Sequence, residues 1–261
     1  MLCNLTKIVS KIGFFTLYNL AKLGEIMIFT FNVVKSCLTP PFYPKLILKQ
    51  FLHIGYFSLP VVGLTAIFSG AVLALQSYSG FSRFNAESTI ATVVILSITR
   101  ELGPVLAGLM VAGRVGASMA AEIGTMKVTE QIDALRTLST NPFKYLIAPR
   151  VIAGLLMLPL LVLVADVIGV MGGYLVAVHK LGFSAGPYIR DSFKFLERID
   201  VVSGLVKSAF FGFVIAVWGC YFGYNSRGGA EGVGIATTNA VVSASITILL
   251  LNYMITGWFF G

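Results

Sequence analysis

The residues of this chain with the clearest chemical potential are charges inside apolar stretches. Arg100 and Glu101 sit side by side in one such stretch, and Asp166 and Lys207 lie in two others. A charge in hydrocarbon is costly and persists where it faces a bundle interior or a water-filled cavity. Two readings follow. In the first, these groups line a polar patch that admits a charged headgroup, with Arg100 or Lys207 making charge-assisted bonds to phosphate oxygens. In the second they lock helices together, as Glu101 with Lys207 or Asp166 with Arg100. Consecutive helical residues point about 100° apart, so Arg100 and Glu101 need not pair with each other. Glu101 and Asp166 would also suit a proton relay, the rival reading of an ion-coupled transporter or channel.

Signs of conventional catalysis are sparse. The chain has no G-x-x-x-x-G-K-[ST] phosphate loop and no H-E-x-x-H zinc pair. Cys3, Cys37 and Cys220 share no metal or redox spacing, and His53 and His179 stand alone. The expectation is no catalytic residue, no metal site and no cofactor held by this chain.

The elements that position these charges are membrane spans. Of 261 residues, 57% are hydrophobic and 11% charged, with mean hydropathy +0.88. A soluble domain carries about 25% charged residues. The net charge of +8 fits the Lys and Arg of cytoplasmic loops, and no basic–aromatic repeat points to nucleic acid. Five apolar segments, at 54–78, 88–113, 147–178, 201–224 and 233–260, each exceed the ~20 residues a bilayer crossing needs. The third is long enough to tilt or to bend at Pro159. Residues 1–36 read as an interfacial amphipathic helix, with Leu5, Ile8, Ile12 and Phe15 on one side and Asn4, Lys7, Lys11 and Tyr18 on the other. Lys22 and Glu25 interrupt its apolar run, so it does not read as a signal peptide. Thr39-Pro40-Pro41 ends it.

Lys and Arg crowd the segment before the first span and the loop after the second, which places both in the cytoplasm. The 179–200 loop is mixed in charge and falls outside by alternation, with a short helix expected after Pro187. The N-terminus is then cytoplasmic and the C-terminus external. Small residues four apart, from Gly103 to Ala120 and at Ala236, Ala240 and Ala244, fit close helix packing within the chain or a dimer seam. Beyond the second span the chain turns polar. On an ideal wheel Glu122, Glu130 and Asp133 fall within about 80°, opposite Val128, Ile132 and Leu135. One face can rest on the bundle while an acidic face meets a partner. Residues 225–234 form a Gly-rich turn without the strand–helix context of a nucleotide loop.

The blocks RELGPVLAGLMVAGRVGASMAAEIGTMKVTEQIDAL and NPFKYLIAPRVIAGLLMLPLLVLVADVIGVMGGYLVA closely resemble the MlaE/YrbE-type ABC permeases, over about 50–260. The resemblance implies an all-α integral membrane fold. It would have an interfacial helix at 1–36, a five-span permease domain at 50–261 and a cytoplasmic coupling helix at about 122–136. It implies a homodimer in a bacterial inner membrane, or alternatively a plastid inner envelope. The implied partners are a separate MlaF-type ATPase that binds ATP-Mg, an MlaD-type MCE lipid-binding protein and often an MlaB-type STAS subunit. The implied activity is phospholipid movement between inner and outer membranes. By the same likeness, Glu122, Lys127, Glu130 and Asp133 would contact the ATPase. Arg100, Glu101 and Lys207 would flank a lipid cavity whose apolar wall includes Leu73, Phe81, Phe84 and Leu102. Asn252 departs from relatives that carry an acid there, which puts any role needing that charge in doubt.

Overall fold

The computed structural model describes residues 2–84 and 89–261, apart from the side chains of residues 2–12, 15, 19 and 84. The side-chain pattern of Leu5, Ile8, Ile12 and Phe15, and Phe84 as a cavity wall, therefore lie outside the described residues. No strand occurs among those described. Helix α1 (Leu2–Leu38) precedes α2 (Pro44–Ile54) and α3 (Leu59–Phe81). The second crossing is one helical run of α4 (Ile90–Ser97), α5 (Gly103–Val111) and α6 (Ala117–Val128), joined by π-helical turns at Ile98–Leu102 and Ala112–Gly116. Then come α7 (Gln131–Thr137), α8 (Ala148–His179), α9 (Ala185–Lys194), α10 (Arg198–Tyr224) and α11 (Gly229–Phe260). Among the described residues five runs are long and apolar enough to cross a membrane: Pro44–Phe81, Ile90–Val128, Phe143–His179, Arg198–Tyr224 and Gly229–Phe260.

Local sequence explains the joints. Proline has no N–H to donate to the carbonyl four residues back, and its ring crowds that carbonyl. Pro60 stands in this relation to Tyr56, where α2 and α3 are separated by a 3-10 turn over Tyr56–Ser58. The first crossing is therefore jointed, whereas the apolar count reads as one span from residue 54. The expected short helix near Pro187 is α9, and α8 runs unbroken through Pro159. The second crossing outlasts its apolar stretch by about four turns, because the small, half-polar residues 114–128 pack on the bundle.

The core lies between α8, α10, α6, α11 and α3. Glycines bring these helices close. A Cβ built on Gly154 of α8 would stand 2.7 Å from the Gly212 carbonyl of α10, and one on Gly70 of α3 would overlap the Gly169 carbonyl of α8. The small-residue stripe of the second crossing faces α10, with Gly116 against Gly219 and Ala120 against Gly223. Ala236, Ala240 and Ala244 are likewise buried within the chain, so both stripes serve intramolecular packing. The other side of α11 exposes Val242, Ile246, Leu249, Leu250 and Tyr253. Helix α1 docks its C-terminal half on the bundle through Phe29 and Val33, with the Phe29 ring 5.3 Å from that of Tyr221.

Candidate functional site

The charges within the second and fourth crossings converge. Lys207 is fully enclosed, about 14 Å along α10 from its start. Its ammonium donates to Glu101 Oε1 at 2.7 Å and to the Arg100 carbonyl at 2.8 Å. That carbonyl is available for a physical reason. Pro104, four residues on, has no N–H to return to it, and the π turn at Ile98–Leu102 shifts the neighbouring pairing. Glu101 is satisfied further by α11, accepting from Asn252 Nδ2 at 2.8 Å and Thr256 Oγ1 at 2.9 Å. Arg100 turns to the other side of the cluster. Its Nε donates to Asp200 Oδ1 at 2.7 Å, and its guanidinium lies 4.5 Å from the centre of the Phe260 ring.

Of the two expected pairs, Glu101–Lys207 forms and Asp166–Arg100 does not. Asp166 is buried on α8 with Oδ1 unpartnered, against Gly103, where a Cβ would overlap that oxygen. Arg100 pairs instead with Asp200, a residue that reads as part of a loop. The available clue is the helix-start signature Glu197-x-x-Asp200: Asp200 Oδ2 accepts from the Glu197 backbone N–H as half of a capping box. Asn252, the departure from the family pattern, holds Glu101 by an amide hydrogen bond and needs no charge to do so.

The apolar candidates do not join this cluster. Leu73 and Phe81 pack on Ala74, Ile90, Val94 and Ile98, and Leu102 points toward Val62, Ala66 and Ala165. One chain thus brings together Arg100, Glu101 and Lys207, while the apolar set lines the α3 side of the second crossing.

At the other end of the bundle, the expected single helix over 122–136 is two helices. Val128 ends α6, Glu130 takes the left-handed φ of 60°, and α7 begins at Gln131. The wheel that places Glu122 beside Glu130 and Asp133 therefore does not apply. Glu122 belongs to the spanning helix and pairs with Arg150 of α8 at 2.9 Å. Lys127 and Arg136 both bind Asp133, at 2.9 and 3.4 Å. The Lys127 hydrogen bond, then the Lys127 and Arg136 charges, hold the Asp133 carboxyl below the usual carboxylate range. Ile132 is buried and Leu135 packs on the core, as their apolar face requires. Arg136 reaches the Tyr224 hydroxyl of α10. Glu130 and Leu138 stay exposed at the tip.

Residues 182–186 spell G-x-S-x-G, against the expectation that the chain carries no such pattern. Ser184 stands at the position before α9 and follows a helix, not a strand, so the strand–turn–helix context of a nucleophile elbow is missing.

Five crossings, an ion-pair cluster buried in the bundle and a short helix hung beneath it on a tight turn define a multi-pass membrane protein of the permease class. Residues 47–258 match the family Permease MlaE, and the chain belongs to that family. It is 61% identical over 256 residues to a probable ABC transporter permease protein of Rickettsia bellii, covering 98% of this chain and 99% of the relative. It is 37% identical to the intermembrane phospholipid transport system permease protein MlaE of Haemophilus influenzae, with 83% of each chain covered. It is 39% identical to the chloroplastic protein TRIGALACTOSYLDIACYLGLYCEROL 1 of Arabidopsis thaliana, covering 82% of this chain and 61% of that one.

Proposed function

We propose that this chain is the membrane subunit of an ATP-driven transporter that moves phospholipid between the inner and outer membranes, working as a homodimer in the inner membrane. The observation that supports it is the family match, which runs through all five crossings. ATP-Mg is bound and hydrolysed on a separate MlaF-type ATPase. An MlaD-type MCE protein exchanges lipid at the far side, and an MlaB-type STAS subunit completes the assembly. The exposed face of α11 is the dimer seam. The α6–α7 turn, with Glu130 at its tip, seats in the ATPase, and Ile132 transmits its displacement to the bundle. The apolar walls around Leu73, Phe81 and Leu102 take acyl chains. Arg100, one-third exposed beside Phe260, is the cation that a phosphate oxygen can reach. Lys207 is wholly enclosed and acts by holding Glu101 and the Arg100 backbone.

The test is reconstitution of the chain with its ATPase and MCE partners in proteoliposomes, following transfer of a fluorescent phospholipid. ATP-dependent transfer that falls about tenfold or more in Arg100→Ala supports the reading. Transfer driven by an ion gradient without ATP would transfer the weight to ion-coupled transport.

A further inference from the structure

The end of the bundle opposite α7 carries an exposed surface that is both apolar and basic. Its element is α9, which buries Tyr188 and Ser192. The Tyr188 ring lies 5.9 Å from that of Tyr174 of α8, and its hydroxyl lies beside Gly173. The Asp191 carbonyl accepts from Thr92 Oγ1 of α4 at 3.1 Å. These anchors set the depth of α9. From Gly173, α8 runs on for about 9 Å to its end at His179. Helix α9 therefore lies beside the last turns of a spanning helix, not above them.

Two stripes of α9 stay exposed. Ile189 and Phe193, four apart, are 47% and 61% exposed. Arg190 and Lys194, also four apart and about 100° further round the helix, are exposed beside them. Neither cation has an ion-pair partner among the described residues. The acids of the segment do not offset this charge. Asp200 is held by Arg100 and Asp191 is half-buried, which leaves Glu197 exposed against Lys180, Arg190, Lys194 and Arg198. Cations on the external side run against the charge bias of membrane loops. Adjacent apolar and basic stripes on one helix suit the membrane interface, with rings among acyl chains and cations at the phosphates. An acidic protein arriving from outside would match the basic stripe, but it gives no reason for an exposed phenyl ring level with the last turns of α8.

We infer that α9 is an interfacial anchor for anionic phospholipid in the external leaflet of the membrane that the chain spans. Ile189 and Phe193 enter the acyl layer, and Arg190 and Lys194 bind headgroup phosphates through charge-assisted hydrogen bonds. The inference needs the external placement of α9 but not the transport activity of the chain.

The test is tryptophan quenching in the full-length chain carrying Phe193→Trp, read as the difference from the chain without that substitution. The chain is reconstituted in phosphatidylcholine liposomes holding an equal mole fraction of either dibrominated phosphatidylglycerol or dibrominated phosphatidylcholine. The expected result is that both quench the added indole, and that phosphatidylglycerol does so with about fivefold higher relative affinity, the size of one basic contact with an anionic surface. Arg190→Gln combined with Lys194→Gln abolishes this preference and leaves quenching by phosphatidylcholine in place, and high salt weakens the preference. All three substituted side chains are exposed, so the packing of Tyr188 and Ser192 is left intact. Arg100→Ala leaves the preference unaltered, which separates α9 from the cluster near Phe260. An indole that neither lipid quenches would overturn the inference, and so would equal quenching by the two lipids or a preference that survives the double substitution. A preference lost in Arg100→Ala would overturn it in favour of that cluster. An unquenched indole together with loss of a co-purified MCE-type protein in the double variant would make the surface a protein contact instead.

Discussion

Lys207 shows how a charge is kept in this membrane protein. Its ammonium donates to a carboxylate and to a backbone carbonyl that Pro104 leaves unpaired. Removing one partner of such a pair strands the other. Lys207→Met is therefore expected to lower stability by about 1–3 kcal/mol, since Glu101 is partly exposed and keeps its bonds from Asn252 and Thr256, and Glu101→Gln in the same chain is expected to restore much of it. Thermal melting of both variants in detergent checks this, and equal loss in the single and double variants would contradict the pairing. The Glu101–Lys207 pair is legible in sequence, since two opposite charges within long apolar runs have few ways to be satisfied. The Arg100–Asp200 pair is not. Asp200 follows a polar loop, and only its place three residues after Glu197 marks it as the start of a helix. Asp166 is the converse case: apolar context marks it correctly as buried, but charge alone points to Arg100, which pairs with Asp200 instead.

The informative element is the turn between α6 and α7. Glu130 occupies left-handed backbone, which glycine adopts without strain. Glu130→Gly is thus expected to stabilise the chain by up to about 1 kcal/mol, as read by melting, because relief of about 1–2 kcal/mol of left-handed strain outweighs the roughly 0.4–1 kcal/mol that glycine adds in unfolded-state entropy. On the proposed docking, Glu130→Lys weakens co-purification of the ATPase and makes it more salt-sensitive. Retention of the ATPase at wild-type stoichiometry would count against that role. The Asp133 lock has a pH signature. Its carboxyl is held below the usual range by Lys127 first, so its contribution is present above the ordinary carboxylate pKa of ~4 and is lost as pH falls through the lowered value. The hydrogen-exchange protection factors of α7 should fall only on that acidic side, and Asp133→Asn should remove the dependence. Sequence periodicity indicates correctly that Ile132 and Leu135 face the bundle. It does not reveal the break, because Thr129-Glu130-Gln131 contains neither Gly nor Pro and the left-handed residue is a glutamate. A wheel drawn through a broken helix then groups Glu122 with residues that it does not neighbour.

At the scale of the molecule, the number of crossings and the all-α class follow from apolar length, and the fold retains them. What apolar length misses is where helices continue or hinge. The second crossing runs on to Val128 because residues 114–128 bury their small side chains on α10, and the first is divided beside Pro60. The small-residue stripes are ambiguous in sequence, since close packing within a chain and between chains uses the same residues. In the folded chain both are consumed internally. The exposed aliphatic face of α11 remains for the second copy proposed above.

The central claim is that these five crossings form the lipid-moving subunit of an ATP-driven assembly. Affinity purification of the full chain in mild detergent, with mass spectrometry of co-eluting proteins and lipids, tests it most directly. The account predicts an ATPase carrying a P-loop, an MCE-type lipid-binding protein and bound phospholipid in the same peak. A folded chain that elutes with neither an ATPase nor phospholipid would contradict it.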